Sequence, residues 1–392
     1  MKRSAILITS SILFAFSLLA GCQADSAQTK ETKEAKKTNE AHAEKKDAVK
    51  QGAEKMLSQS QNLSKAIKDK DARQAKEVGD ALNQTWFSFE NKVRKTAPML
   101  YNEVEKYLTP LVAGTKVEPL DDKTLSDLKE NLVKQLNKLK TYKPDNKNQS
   151  STALNKVVRD YHVYIKDQTK SLVSATKAFT DAVTRGNIDK AKKVYPEART
   201  YYERIEPIAE SLGELDPKID ARENDVADPS KWTGFHEIEK AIWVKHSVRG
   251  QEKYAKQLMS DVKALDEKVN TIKLEPAQVI AGAVELLNEA SISKITGEEE
   301  RYSHIDLVDL AANAEGSKVI FDLAKVPLKE KDADLAAAIS EQFKDLNETL
   351  QKYQKDGSYV LYNQLDKKDT RTISQQLNAL SESLSKVAKL LS

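Results

Sequence analysis

Glycine and proline are scarce, 12 and 10 of 392 residues, about half of the roughly 12 % that ordinary usage supplies. That shortage excludes collagen-like and linker-dominated chains and argues against loop-rich β architecture. Cysteine is limited to Cys22, so no disulfide forms within the chain and stability must come from packing. With no other thiol and no G-x-S-x-G run, nucleophilic catalysis has no starting point. Neither sign of charge dominates: 63 Lys+Arg stand against 60 Asp+Glu, interleaved along the chain. A nucleic-acid surface needs concentrated positive potential, so no nucleic-acid partner is expected.

What is present is helical pattern. Hydrophobic residues make 39 % of the chain and recur every three or four positions, as in Leu154, Val157, Val158, Tyr161 and Ile165, the spacing of amphipathic helices. An all-α protein with two or three domains is predicted. Breaks fall at Gly114–Asp122, Tyr142–Ser151, Leu215–Lys231, Leu274–Pro276, Gly297, Val326–Lys329 and Asp356–Gly357, where Pro, Gly and Asp/Asn supply stops. Segments between them suit helix bundles.

At the N-terminus Lys2 and Arg3 precede an apolar run from Ala5 to Leu19. It is too short to span a bilayer, which takes about 20 residues, and suits a signal-peptide core. The run closes on Leu19-Ala20-Gly21-Cys22, which resembles the lipobox of bacterial lipoproteins. Residues 1–21 are therefore expected to be a signal peptide and Cys22 the lipidated residue, tethering the protein to the extracytoplasmic face of the cell membrane. Residues 22–50, rich in Lys, Glu, Ala and Thr and without an aromatic, read as a disordered tether. A small helical domain over 51–145 follows, with Pro144–Ser151 as its boundary.

A shift of 116 residues lays Ala66–Glu90 on Ala182–Glu206, matching Ala75 with Ala191, Lys76 with Lys192, Val78 with Val194 and Glu90 with Glu206. Both stretches read helix, tight turn, helix. Duplication and the general likeness of helical hairpins explain this equally well.

Of five histidines, His42 lies in the tether, and His162 and His246 are assigned to helices beside Lys and Tyr. His236 differs. In Gly234-Phe235-His236-Glu237-Ile238-Glu239-Lys240, i and i+3 spacing puts the imidazole and the Glu239 carboxylate on one helix face. The pair suits a metal, although helices carry many such pairs. A zinc peptidase helix needs His-Glu-x-x-His, and Lys240 stands where the second His belongs.

Upstream, Glu203 and Glu206 repeat the i, i+3 spacing, either as ligands or as surface acids neutralised by Arg199 and Arg204. Asp220, in a turn-like stretch, either points inward or serves the turn. Downstream, Ile295–His304 is predicted to open a helix on which Glu299, Tyr302, Asp306 and Asp309 form one stripe, while Thr296 and Glu299 also spell a capping box. If these segments converge, an oxygen-rich site with one imidazole results, suited to a hard cation or to iron.

Three ordered blocks, YYERIEPIAESLGELDPKIDARENDV, WTGFHEIEKAIW and ITGEEERYSHIDLVDLAANAEGSKVIF, resemble the imelysin-like lipoproteins of the EfeO/EfeM family, over about residues 150–392. The resemblance implies a pair of four-helix bundles over 150–392, here preceded by the small helical domain. It also implies iron uptake rather than turnover, with Fe3+ or Fe2+ as the ion and other divalent cations possible. Carried over residue by residue, the metal ligands are His236, Glu239, Glu203, Glu206, Asp220 and Glu299, with Glu223 and Glu298 near enough to replace Asp220 and Glu299. The implied partners are an EfeU-type membrane iron permease, an EfeB-type haem peroxidase and, through Cys22, the lipid membrane. The alternative is a metallopeptidase of the imelysin type. Longer members carry an N-terminal cupredoxin domain, but residues 51–145 contain no His or Cys, so no copper site can form there. A weaker cation site around Glu90, Glu103 and Glu105 is the expectation for that segment.

Overall fold

The computed structural model describes residues 28–143 and 152–391. The signal segment, Cys22 and the Pro144–Ser151 boundary lie outside the described residues. Met1–Ala48 and Val49–Ser392 form separate compact units. A helical backbone begins at Gln28, within the segment read as a tether, as the leading part of α1 (Gln28–Lys68).

Within the second unit, α1 is followed by α2 (Ala72–Phe87), α3 (Glu90–Thr96), α4 (Pro98–Gly114) and α5 (Asp122–Thr141). Their apolar stripes close on one core around Met56, Leu63, Leu82, Trp86, Leu108 and Leu136. Helical spacing fixes the membership: Leu125, Leu132, Leu136 and Leu139 are the buried apolar face of α5, while the Lys, Asp and Asn between them meet water. Asp71 and Asp121 cap α2 and α5 by accepting from the Gln74 and Thr124 N–H groups, satisfying donors that helix ends leave unpaired.

The larger body is built from α6 (Thr152–Thr184), α7 (Ile188–Glu203), α8 (Ala209–Leu212), α9 (Leu215–Asp220), α10 (Phe235–Trp243), α11 (Glu252–Thr271), α12 (Pro276–Ile292), α13 (Asp306–Lys331), α14 (Ala333–Gln351) and α15 (Lys367–Leu391). A two-stranded hairpin, β1 (Gln354–Lys355) with β2 (Ser358–Tyr359), links α14 to α15. One bundle packs α6 against α7, α11 and α13, and the other is α12 to α15. The helices therefore pair into the side-by-side bundles implied by the resemblance, with α13 common to both. That position explains the composition of α13: from Asp306 to Ser317 it is buried almost all round, with Ala311, Ala312 and Ala314 keeping it thin.

One expected break is not a break. α13 runs through Pro327 to Lys331. The proline lies near the C-terminal end, where one lost N–H bond is tolerable, and the stop comes at Asp332, which caps α14 by accepting from the Leu335 N–H. At Gly282 of α12, a Cβ would lie 1.9 Å from the Pro207 carbonyl oxygen. Only glycine lets the chain after α7 lie directly on the second bundle.

The 116-residue shift is reproduced in the backbone. Helices end at Lys68 and Thr184, Lys70 and Gly186 take φ of 54° and 74°, and the new helices span Ala72–Phe87 and Ile188–Glu203. Asp71 and Asn187 each accept from the N–H three residues on, both at 2.9 Å.

Candidate metal centre

Six pieces of chain meet where the bundles join. α7 contributes Arg199 and Glu203, one turn apart. The single 3-10 turn Glu206–Ile208 follows, and α9 ends at Asp220. α10 supplies His236 and Glu239, and the irregular stretch from Lys294 to His304 supplies Lys294, Glu299 and Glu300. Asp306, Asp309 and Asn313 stand on the first turns of α13. Arg199, Glu203, Glu239, Glu300, Asp306 and Asp309 are wholly inaccessible to water, and His236, Lys294 and Glu299 nearly so. Buried charges of this kind persist only when paired.

The imidazole is held at one end. His236 Nδ1 lies 3.0 Å from Glu239 Oε2, and Glu239 Oε1 in turn accepts the Tyr302 and Ser303 N–H groups at 2.9 and 2.7 Å. Such a carboxylate fixes ring orientation and keeps the proton on Nδ1. The other nitrogen has no hydrogen-bond partner although it is buried. Nε2 faces Asp220 Oδ1 at 3.4 Å and Glu299 Oε1 at 3.9 Å. Burial draws the His236 pKa down, but the Asp220 and Glu239 carboxylates more than reverse this and lift it to about 10.

Two cations sit among the carboxylates. Arg199 pairs with Asp220 through Nη1 and with Glu203 through Nη2, with Glu300 Oε1 at 2.8 Å from Nε and Asp309 Oδ2 at 3.2 Å from Nη2. Lys294 Nζ lies 3.0 Å from Glu203 Oε2, 2.7 Å from Glu206 Oε1 and 3.4 Å from Glu299 Oε1. Asn313 Nδ2 donates to Glu203 Oε2 and Glu206 Oε2 at 2.8 and 2.7 Å.

The carboxylates outnumber these cations, and they divide accordingly. Burial raises Glu203, but Lys294 and Arg199 hold it far below the ordinary range, whereas burial and the neighbouring Glu203 push Glu206 up. Asp306 is lifted to about 6, chiefly by burial; burial and then Glu239 and Asp309 raise Glu300, and burial with Glu203 and Glu299 raises Asp309 against the pull of Arg199. A core this rich in carboxylates, with Asp306 Oδ2, Asp309 Oδ1 and His236 Nε2 buried and unpartnered, has the donor set of a cation site.

Donor atoms that converge closely enough to share one ion, among the described residues, fall into three groups: Asp220–His236–Glu299, His236–Glu239–Glu300 and Glu203–Glu299–Asp309. The sequence-derived set therefore splits. His236, Glu239, Asp220 and Glu299 come together, Glu203 joins through Glu299, and Glu206 sits on the far side of Lys294. Glu223 binds Lys240 and Tyr302 instead, and exposed Glu298 faces Arg301. None of these groups includes Glu90, Glu103 or Glu105, and Glu105 is already bonded to Trp86 Nε1 and Thr109. Among the described residues, the three glutamates expected to hold a second cation in the N-terminal domain do not gather into a group of converging donors.

Three local expectations are also corrected. No helix opens at Ile295 and no capping box forms: Thr296 Oγ1 bonds Ser293 O, Gly297 and His304 take φ of 80° and 60°, and α13 starts only at Asp306. His246 lies in a loop with φ 48°, not in a helix. Arg204 pairs with Glu315 rather than with the site acids. Arg199, expected as a partner of Glu203 at the surface, does pair with it but is sealed from water, and Lys294 and Glu300 are positions that spacing did not single out.

The family model described as Imelysin matches residues 157–387. The chain is similar to the iron uptake system component EfeM of Bacillus subtilis (strain 168), 43 % identical over 379 residues, or 95 % of this chain and 96 % of the relative. It is also similar to an Efem/EfeO family lipoprotein of Staphylococcus haemolyticus (strain JCSC1435), 42 % identical over 246 residues covering 62 % of this chain and 86 % of that one. Similarity to the iron uptake system component EfeO of Escherichia coli (strain K12) is 41 % over 243 residues, 61 % of this chain and 64 % of the relative.

Proposed function

The chain belongs to the imelysin family, and from that premise we propose that it is the lipid-anchored, extracytoplasmic iron-binding component of an uptake system, which captures Fe3+ or Fe2+ and passes it to a membrane permease. Relatives along nearly the whole chain and along its C-terminal part carry the names of iron uptake components. One observation carries the chemistry: the buried Nε2 of His236 meets nothing closer than Asp220 Oδ1 at 3.4 Å and Glu299 Oε1 at 3.9 Å, so a cation that displaces its proton would gain an imidazole and two carboxylates at once.

In this reading His236 Nε2, Asp220 and Glu299 are the primary ligands, with Glu203 adjacent, and Glu239 orients the ring. A hard or borderline cation fits three carboxylates and one imidazole nitrogen better than a thiophilic one does. Other divalent cations of similar hardness compete. Anchorage through Cys22 and hand-off to an EfeU-type permease, with an EfeB-type haem peroxidase as a further partner, belong to the same proposal. Among the described residues no helix is long and apolar enough to cross a membrane.

Coordination rather than turnover is supported at Glu237, the residue that would act as the base of a peptidase helix. Its surroundings are Lys245, Gln251 and Lys253, it belongs to none of the three groups of converging donors among the described residues, and Lys240 is paired with Glu223. Metal-loaded protein incubated with a mixed peptide library is expected to leave it uncut.

Equilibrium iron binding by the mature chain and by its His236→Ala variant tests the proposal. Affinity in the variant is expected to fall by more than the roughly 10–100-fold that loss of an outer-shell partner costs. Equal affinity and stoichiometry in both would count against it.

A further inference from the structure

Two buried cations share the carboxylates of the centre, and they differ in what lies behind them. Arg199 is clamped by acids from α7, α9, α13 and the turn after Lys294. Lys294 instead borders a cavity of about 620 Å³ that opens between α12 and the N-terminal helices. Its ammonium lies 3.0 Å from Glu203 Oε2, 2.7 Å from both Glu206 oxygens and 3.4 Å from Glu299 Oε1. All of these are oxygens of the kind a hard cation takes.

Glu299 Oε1 is also one of the atoms facing His236 Nε2, at 3.9 Å. An ion held beside His236 would thus share a carboxylate with the ammonium, and like charges that close repel. On α12, Glu289 lines the same cavity and has no ion pair among the described residues. A lysine stem is flexible and its ammonium is a point charge that can change partners, which a guanidinium fork cannot do as freely.

We propose that Lys294 is a displaceable counter-cation: in the metal-free protein its ammonium holds Glu203, Glu206 and Glu299 together, and a multivalent ion arriving beside His236 drives the still-charged side chain into the cavity toward Glu289, freeing Glu203 and Glu206 to coordinate. This rests on the iron-binding reading above. It adds a basis for discrimination: a monovalent ion gains nothing over the ammonium it would replace, whereas a di- or trivalent ion gains from every carboxylate released. It also supplies a return path, because the tethered ammonium competes for the same oxygens when the ion leaves.

Titration of the mature chain with Fe2+ under anaerobic conditions, and with Mn2+ as a redox-silent comparison, tests this in wild type, Lys294→Met, Lys294→Arg, Glu289→Gln and His236→Ala. Lys294→Met is expected to bind both ions tighter by roughly tenfold or more, the direction set by removing a unit positive charge from a partly desolvated site. Lys294→Arg keeps the charge and is expected not to tighten. The metal-free Lys294→Met protein should melt lower than wild type, since buried Glu203 and Glu206 lose their partner, and should gain more melting temperature on adding metal. Glu289→Gln is expected to weaken binding several-fold by removing the receiving carboxylate.

Unchanged or weaker binding by folded Lys294→Met, or equal tightening by Lys294→Arg, overturns the displacement. Should Lys294→Met fail to fold, unchanged affinity in Glu289→Gln overturns it alone. Failure of the wild type to bind either ion, or binding by His236→Ala equal to wild type, overturns the iron-binding reading and the displacement with it.

Discussion

His236 is the residue on which the chemistry turns, and its environment gives it a measurable signature without any metal. Asp220 faces it from α9 and Glu239 from its own helix, Glu299 and Glu300 face it from the turn before α13, and Arg199 faces it from α7. Against burial and the Arg199 charge, which draw it down, the Asp220 and Glu239 carboxylates hold the folded imidazole at about 10, above its unfolded value of about 6.5. A raised folded pKa contributes stability that is complete below about pH 6.5 and disappears as pH rises through about 10, at up to about 1.4 kcal/mol per pH unit. Denaturant unfolding of the metal-free protein between pH 6 and 9 is therefore expected to show a falling stability that His236→Gln flattens. Identical slopes in both proteins would mean that the ring is not charged in the folded state. The pairing of His236 with Glu239 is legible in the sequence, because three-residue spacing on a helix leaves little choice of face. The burial of Arg199 and the role of Lys294 are not legible: an arginine four residues before a glutamate is an ordinary surface pair on a helix, and nothing in the string says that this one is sealed from water. The signal available was company, since Glu203, Glu206, Glu298, Glu299 and Glu300 crowd around very few bases in their segments.

At the scale of elements, site geometry depends on how α10 begins. Gly234, its N-cap, has φ 94°, a conformation that side chains resist, and a Cβ there would lie 2.2 Å from the Ile219 carbonyl oxygen. That contact seats the start of α10 against the end of α9, and so sets His236 against Asp220. Gly234→Ala is expected to cost a few kcal/mol through strain and clash together, and to weaken metal binding more than an equally destabilising core change elsewhere, such as Leu136→Ala. Comparing the two variants by melting temperature and by titration separates the effects, and proportional losses in both would deny α10 this positioning role. The helix–turn–helix form of the two hairpins was legible, while their matching caps at Asp71 and Asn187 came only with the structure. The stretch from Ile295 to His304 was not, because Thr296 and Glu299 spell a cap that the chain does not use. Glu299 is drawn instead toward Arg222, Arg199 and Lys294, an electrostatic demand from distant chain that outweighs a local cap of about 1 kcal/mol. The matched hairpin also shows what the N-terminal stretch lacks. Asn83 and Phe87 occupy the positions of Arg199 and Glu203, so the scaffold is shared and the ion-holding face is not.

The molecule as a whole joins two hydrophobic cores, one around Trp86 and one around Phe179 and Phe321, through α4 and α12. Asn102 Nδ2 donates to Ala281 O at 2.7 Å in a buried contact, and Lys106 pairs with Glu382 at 2.8 Å. The buried hydrogen bond contributes about 1 kcal/mol and the exposed pair less, so packing of α4 on α12 must carry the rest. Tryptophans report the two parts separately, because Trp86 lies in the N-terminal core and Trp232 and Trp243 lie in the body. In wild type, unfolding followed by Trp86 alone, in Trp232→Phe/Trp243→Phe protein, is expected to coincide with unfolding followed in Trp86→Phe protein. Adding Asn102→Leu and Lys106→Ala should lower the Trp86-reported midpoint by several degrees more than the body-reported one, because the smaller core has less to lose before it melts. The same helices wall the cavity into which Lys294 opens. If the two cores melt independently already in wild type, the N-terminal domain is an appended module, and its wall cannot control how the ion reaches the carboxylates.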